Sequence, residues 1–85
     1  MMSIVSDIKL AGQSLKTILI DYTEQDGSNE GLREIEPYSF RGKNEKALFF
    51  GYDIKKHGIR SFNINTINKV VITDNSYSPR WPVEL

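Results

Sequence analysis

The sequence predicts a mainly β fold, a small five-stranded antiparallel barrel preceded by one α-helix. Three observations carry that expectation. Apolar residues recur at three- to four-residue spacing only as far as Gly12, the period changes to two from Leu15 onward, and turn-forming residues separate the later runs. In the helix, Ser3 or Ser6 is the candidate cap, Ile4, Ile8 and Ala11 form the apolar stripe, and Gly12 is the expected left-handed stop. The stripe is narrow, so the helix should lie across one end of the sheet.

The first strand, Leu15–Tyr22, places Ile18, Ile20 and Tyr22 on one face. A polar stretch, Glu24–Gly31, follows, and its Asp26-Gly27 pair marks a turn because glycine accepts positive φ without strain. The second strand, Leu32–Phe40, alternates Arg33, Ile35 and Pro37 against Leu32, Glu34, Glu36 and Tyr38. Pro37 has no N–H to give a ladder, which calls for an edge or a bend there. Ala47–Tyr52 is the most apolar run and the candidate central strand, with Gly51 indicating a sharp bend. Ile59–Ile64 puts Arg60, Phe62 and Ile64 on one face, and Asn68–Asp74 completes the set. Expected inside are Ile18, Ile20, Tyr22, Ile35, Phe49, Phe62, Ile64, Val70 and Ile72. The chain thus divides into a helix over 1–12, a barrel over 15–74 and a tail over 75–85, which Pro79 and Pro82 keep extended around Trp81.

At 85 residues the chain makes one small domain, too short for a DNA-reading module of ~60 residues beside a sensor of ~80. With 39% hydrophobic residues and nine aromatics it has the apolar surface to fold. No run of ~18 apolar residues occurs, and Asp7 and Lys9 interrupt the N-terminal stretch where a secretion signal would be apolar, so a soluble cytoplasmic protein with no membrane partner is expected. The absence of cysteine removes disulfides and thiolate metal sites, and no cofactor or metal is expected. The net charge of zero hides an asymmetry. Residues 1–40 carry three cationic and seven anionic side chains, a net of −4, and residues 41–80 carry eight and three, a net of +5. A basic half attracts anions over a Debye length, although an alternating solvated surface gives the same count.

Catalytic chemistry has little to work with. His57, the single histidine, lies in a loop with no thiol or elbow serine to activate. No phosphate-binding glycine loop is present, and the stretch 21–30 lacks calcium-loop spacing, leaving its carboxylates as a solvated turn. Glu34 and Glu36, two apart on one strand face, suggest an exposed face. The chain reads as non-catalytic.

One ordered set of short patterns goes further. The helix leads into Ile18-Leu19-Ile20-Asp21-Tyr22, then Asp26-Gly27, Arg33-Glu34-Ile35-Glu36-Pro37, Leu48-Phe49-Phe50-Gly51-Tyr52-Asp53, Arg60-Ser61-Phe62-Asn63-Ile64, the run from Ile67 to Thr73, and Tyr77-Ser78-Pro79-Arg80. In order and spacing this resembles the WYL family, bacterial domains with an Sm-like, SH3-type barrel that usually follow a winged helix-turn-helix in transcription regulators. The likeness runs from about Ile4 to Arg80. Two features depart from it. Ala47, Leu48 and Phe49 stand where the family has its Trp-Tyr-Leu triplet, and Thr66 stands where it usually has an arginine. The sequence also lacks the helix-turn-helix.

The resemblance implies a ligand-sensing or nucleic-acid-binding regulatory module with Arg33, Tyr52, Arg60 and Phe62 as ligand contacts. Lys43, Lys46, Lys55 and Lys56 add electrostatic attraction for a nucleic acid or nucleotide. A guanidinium grips phosphate through two parallel hydrogen bonds, and an aromatic face stacks on any base. The competing roles are structural: Arg33 and Arg60 pairing with Glu34, Glu36 or Asp53, and Tyr52 and Phe62 packing in the core. A second functional reading is a protein-interaction or assembly domain, docking an effector protein or a second copy through a barrel edge or the Trp81 tail.

Overall fold

The computed structural model describes residues 3–42 and 47–85. Helix α1 spans Ile4–Gln13 and is followed by β1 (Lys16–Tyr22), β2 (Leu32–Arg41), β3 (Leu48–Asp53), β4 (Gly58–Asn63), a 3₁₀ turn (Ile64–Thr66) and β5 (Ile67–Ser76). The strands form one antiparallel sheet in the order β4-β3-β2-β1-β5. The fold class is therefore mainly β with five strands and one N-terminal helix, as the change of period predicts.

The expected closure into a barrel is corrected. Among the described residues β4 and β5 do not pair and remain the two edges of an open sheet. Side chains and single backbone contacts occupy that seam instead. The Asn63 N–H donates to the Tyr22 hydroxyl (3.0 Å) and the Thr23 N–H to the Thr66 carbonyl (3.1 Å). The chain passes from β4 to β5 through the 3₁₀ turn without the two strands pairing, and the Tyr22 hydroxyl meets a backbone donor at their junction.

Helix α1 begins where expected, with the Ser3 hydroxyl accepting from the Ser6 N–H. Its stop differs. Leu15 takes the left-handed conformation at φ 54°, while Gly12 is needed for its lack of a side chain: a Cβ there would meet Leu85 Cδ1 at 2.3 Å. Helix α1 packs on β1, β2 and β5, and Ile8 and Ala11 enter the core from it.

Cross-strand register sets the inner face. Ile18 pairs with Ile35 and Ile72, Ile20 with Arg33 and Val70, and Phe49 with Phe62. The buried core cluster comprises Ile8, Ala11, Ile18, Ile20, Tyr22, Ile35, Phe49, Phe62 and Ile67. Ile64, Val70 and Ile72, expected inside, pack against it only partly buried, Val70 and Ile72 because β5 is an edge strand and Ile64 because it lies in the 3₁₀ turn at the end of β4.

Strand β2 bends between Pro37 and Ser39, where the register with β3 shifts and Tyr38 is the extra residue. Gly51 lies opposite Pro37, and a Cβ on it would stand 2.3 Å from Ile35 Cγ2 and 2.9 Å from the Glu36 carbonyl. Past Ile35, β2 has no β1 partner, and the C-terminal tail takes up its free side. The Tyr77 hydroxyl donates to the Pro37 carbonyl (2.5 Å), the Glu84 N–H donates to the Tyr38 carbonyl (2.7 Å), and Glu84 forms a parallel bridge with Ser39. Asn75 and Ser76 belong to β5, so the tail begins later than the sequence suggests.

Two outcomes follow. Gly51→Ala should destabilise the protein by about 1–3 kcal/mol in urea unfolding, because the added methyl is driven against fixed backbone and a core isoleucine. Burial raises the ionisation of both the Tyr77 and Tyr38 hydroxyls above the ordinary phenol range. The folded state therefore keeps protons that the unfolded chain releases, and stability should be intact below about pH 10 and fall above it. Tyr77→Phe should lower stability at neutral pH by about 1 kcal/mol and flatten the alkaline decline.

Candidate functional site

The most ionised part of the molecule lies where the start of β2 meets the β3–β4 turn. Asp53, at the end of β3, is 1% exposed and accepts from the Lys56 N–H (3.0 Å), which closes the turn. Its other oxygen, Oδ2, accepts from Arg33 Nε at 3.1 Å. Arg33 lies on the inner face of β2, its guanidinium 5.0 Å from the centroid of the buried Phe62 ring. On its solvent side Arg33 meets Glu24 at 3.1 Å and Glu30 at 3.8 Å, both from the β1–β2 loop. Glu30 also bonds Lys56 Nζ at 2.5 Å, and that bond holds the Glu30 carboxyl below its usual range.

Beside this network runs a groove of about 670 Å³ lined by Leu19, Leu32 and Ile54 with Glu30, Glu34 and Lys55 among its polar members. Leu32 is 58% exposed there. Glu34 turns toward the Thr17 hydroxyl (2.6 Å) and the Asn75 amide (3.0 Å). Lys55 is exposed and has no partner among the described residues.

The ligand contacts named from the sequence are not gathered in one place. Arg33 and Phe62 are stacked on each other, Phe62 within the core and Arg33 saturated by carboxylates. Tyr52 lies on the opposite face of β3, beneath the Arg80 guanidinium at 3.8 Å and edge-on to Trp81 at 6.4 Å. Arg60 is half-buried on β4, folds over Gly58 and bonds only the carbonyl of its neighbour Ile59 (2.9 Å). Lys55 and Lys56 sit in the β3–β4 turn, and Lys43 and Lys46 lie outside the described residues. Thr66 closes the 3₁₀ turn by donating to the Asn63 carbonyl at 3.3 Å.

Sequence reasoning missed a second cluster. Glu36 is 4% exposed, and it accepts from the Tyr38 hydroxyl at 2.9 Å and from Arg80 at 3.0 Å. Trp81 stacks on Tyr38, with centroids 4.2 Å apart. The expectation that Glu36 lies on an exposed face is thereby corrected, because the tail covers that face. Arg80, two residues before Pro82 and next to a tryptophan, was the available signal.

The architecture is a helix-capped, strongly bent five-stranded antiparallel module. The chain belongs to the WYL domain family, whose model matches residues 3–72. Among solved structures it is similar to the Proteasome accessory factor B/C (PafBC) of Arthrobacter aurescens, at a TM-score of 0.75 and 14% identity. That match covers 92% of this chain and 13% of the other, so this chain spans a small part of its neighbour, and the likeness is one of fold. No curated protein matches the sequence. Among the described residues no helix is long and apolar enough to cross a membrane, and no group of His, Cys, Asp or Glu is placed to hold a metal ion.

Removing the Arg33 charge should be costly. Arg33→Ala strands Asp53 as a buried carboxylate and should destabilise by about 3–5 kcal/mol, whereas Arg33→Met with Asp53→Leu should recover most of the loss. Chemical denaturation of the single and double variants measures this directly.

Proposed function

We propose that this chain is a non-catalytic, WYL-type regulatory module that senses an anionic, phosphate-bearing ligand such as a nucleotide or a single-stranded nucleic acid. The reading rests on one electrostatic observation. Of the four arginines, Arg33, Arg41 and Arg80 each meet a carboxylate, and Arg60 meets none among the described residues. Lys55, five residues earlier on the same hairpin, is also unpaired among the described residues, while the hairpin's Asp53 is taken by Arg33. An arginine held half-buried with its charge uncompensated offers a paired donor edge to phosphate. The groove that Lys55 helps to line, with Leu19, Leu32 and Ile54 as its apolar members, gives such a ligand's body a surface to lie on. Family membership supports the sensing role, while Thr66 in place of an arginine supports a ligand held by fewer charges.

The interaction-module reading has its own observation. Ile59 is 54% exposed on the edge strand β4, beside a hollow lined by Ser39, Arg41, Phe50 and Trp81. Trp81 itself is stacked on the protein's own Tyr38, which leaves the β4 edge as the docking element of that reading.

Titration with ATP, single-stranded DNA and RNA at about 50 and 200 mM salt separates the two. Phosphate binding should weaken steeply with salt, and Arg60→Ala should cost roughly tenfold in affinity and lower the salt slope by about one. Lys16→Ala should change little, because Lys16 sits on the β5 side, bonded to Ser76. Equal losses from both variants would reduce the attraction to nonspecific charge.

A further inference from the structure

We infer that the β1–β2 loop is an internal competitor for the anion-binding hairpin, with Glu30 standing where a ligand's phosphate would otherwise meet Lys56. The inference rests on the sensing role proposed above and adds its regulation. Lys56 belongs to the same turn as Lys55 and the same hairpin as Arg60, yet its ammonium is bound to Glu30 across 26 residues of sequence. Glu30 also approaches Arg33, where Glu24 from the same loop makes the closer pair. The loop thus brings carboxylates from the acidic half of the chain onto cations of the hairpin and its neighbour.

Its own structure suits a displaceable element. It is exposed from Gln25 to Gly31 and is shaped by short-range bonds, Asp26 to the Ser28 N–H (2.9 Å) and Asn29 to the Gly31 N–H (2.8 Å), while the Asn29 amide also donates to Asp21 of β1 (2.6 Å). The fold does not need the Glu30 contact. Arg33 keeps Asp53 and Glu24 if Glu30 withdraws, and the turn stays closed through Asp53 and the Lys56 N–H. A partly exposed ion pair is weak enough for a ligand to exchange it for its own charge. Binding then frees Glu30 while Glu24 and Asn29 stay held by Arg33 and Asp21, which gives the end of the loop two states that a neighbouring surface can read.

The test compares Glu30→Gln with Asp26→Asn, which makes the same charge change in the same loop but touches only Ser28. ATP affinity should rise about two- to fivefold for Glu30→Gln and by less than about 1.5-fold for Asp26→Asn. In a Lys56→Ala background the gain from Glu30→Gln should shrink to that of Asp26→Asn. Equal gains from the two loop variants, or a gain that survives Lys56→Ala, would overturn the competitor role while leaving the sensing role standing. Binding by Glu30→Gln where the wild type shows none would support competition. Absence of binding in every variant would overturn both.

Discussion

The pairing of Arg33 with Asp53 is the interaction on which the ionised end of the molecule depends. Asp53 ends β3, closes the following turn through the Lys56 N–H and is all but buried, so its charge requires a fixed cation. Arg33 supplies it from the start of β2 while lying over Phe62, which ties the charge pair to the core. A buried ion pair of this kind does not have to contribute net stability over an apolar pair of the same shape, since desolvation offsets much of the attraction. What it does fix is position: the β3–β4 turn, with its lysines, can occupy one place relative to β2. The groove and the approach of the β1–β2 loop follow from that placement.

The bend in β2 organises the other end. Pro37 removes a donor, Tyr38 bulges, and the strand leaves β1 with its outer half unpaired. That free side is what the tail occupies, and the tail in turn buries Glu36 and stacks Trp81 on Tyr38. The Arg80–Glu36 pair, the Tyr77–Pro37 bond and the Leu85 contact with Gly12 are three separate attachments, so the tail is a structural element of the sheet. Its prolines lower the entropy lost on docking.

The charge asymmetry of the sequence takes on a different meaning in three dimensions. Glu30 pairs with Lys56, Glu36 with Arg80 and Arg33 with Asp53, each joining residues from opposite halves of the chain. Two of these pairs set acids of the first half against bases of the second, and among the described residues Arg60 and Lys55 form no ion pair. Family membership agrees with the fold, and Phe49, which ends the Ala47-Leu48-Phe49 segment, is buried.

The sequence by itself determined the helix, the five strands and the inner row of Ile18, Ile20, Ile35, Phe49 and Phe62, because period and turn chemistry are local and each strand can be read alone. It also marked Pro37 and Gly51 as a bend. Only the tertiary structure decided whether the sheet closes, since closure depends on whether β4 and β5, at opposite ends of the strand order, meet in space, and here Tyr22 occupies the seam where they do not pair. The same holds for charge. Arg33 and Arg60 look alike in sequence, each an arginine in an alternating strand. Only the fold brings Asp53, 20 residues away, onto the first beside the nearer Glu24 and Glu30, and leaves the second without a carboxylate among the described residues, because ion pairing is set by distance in space and not by spacing along the chain.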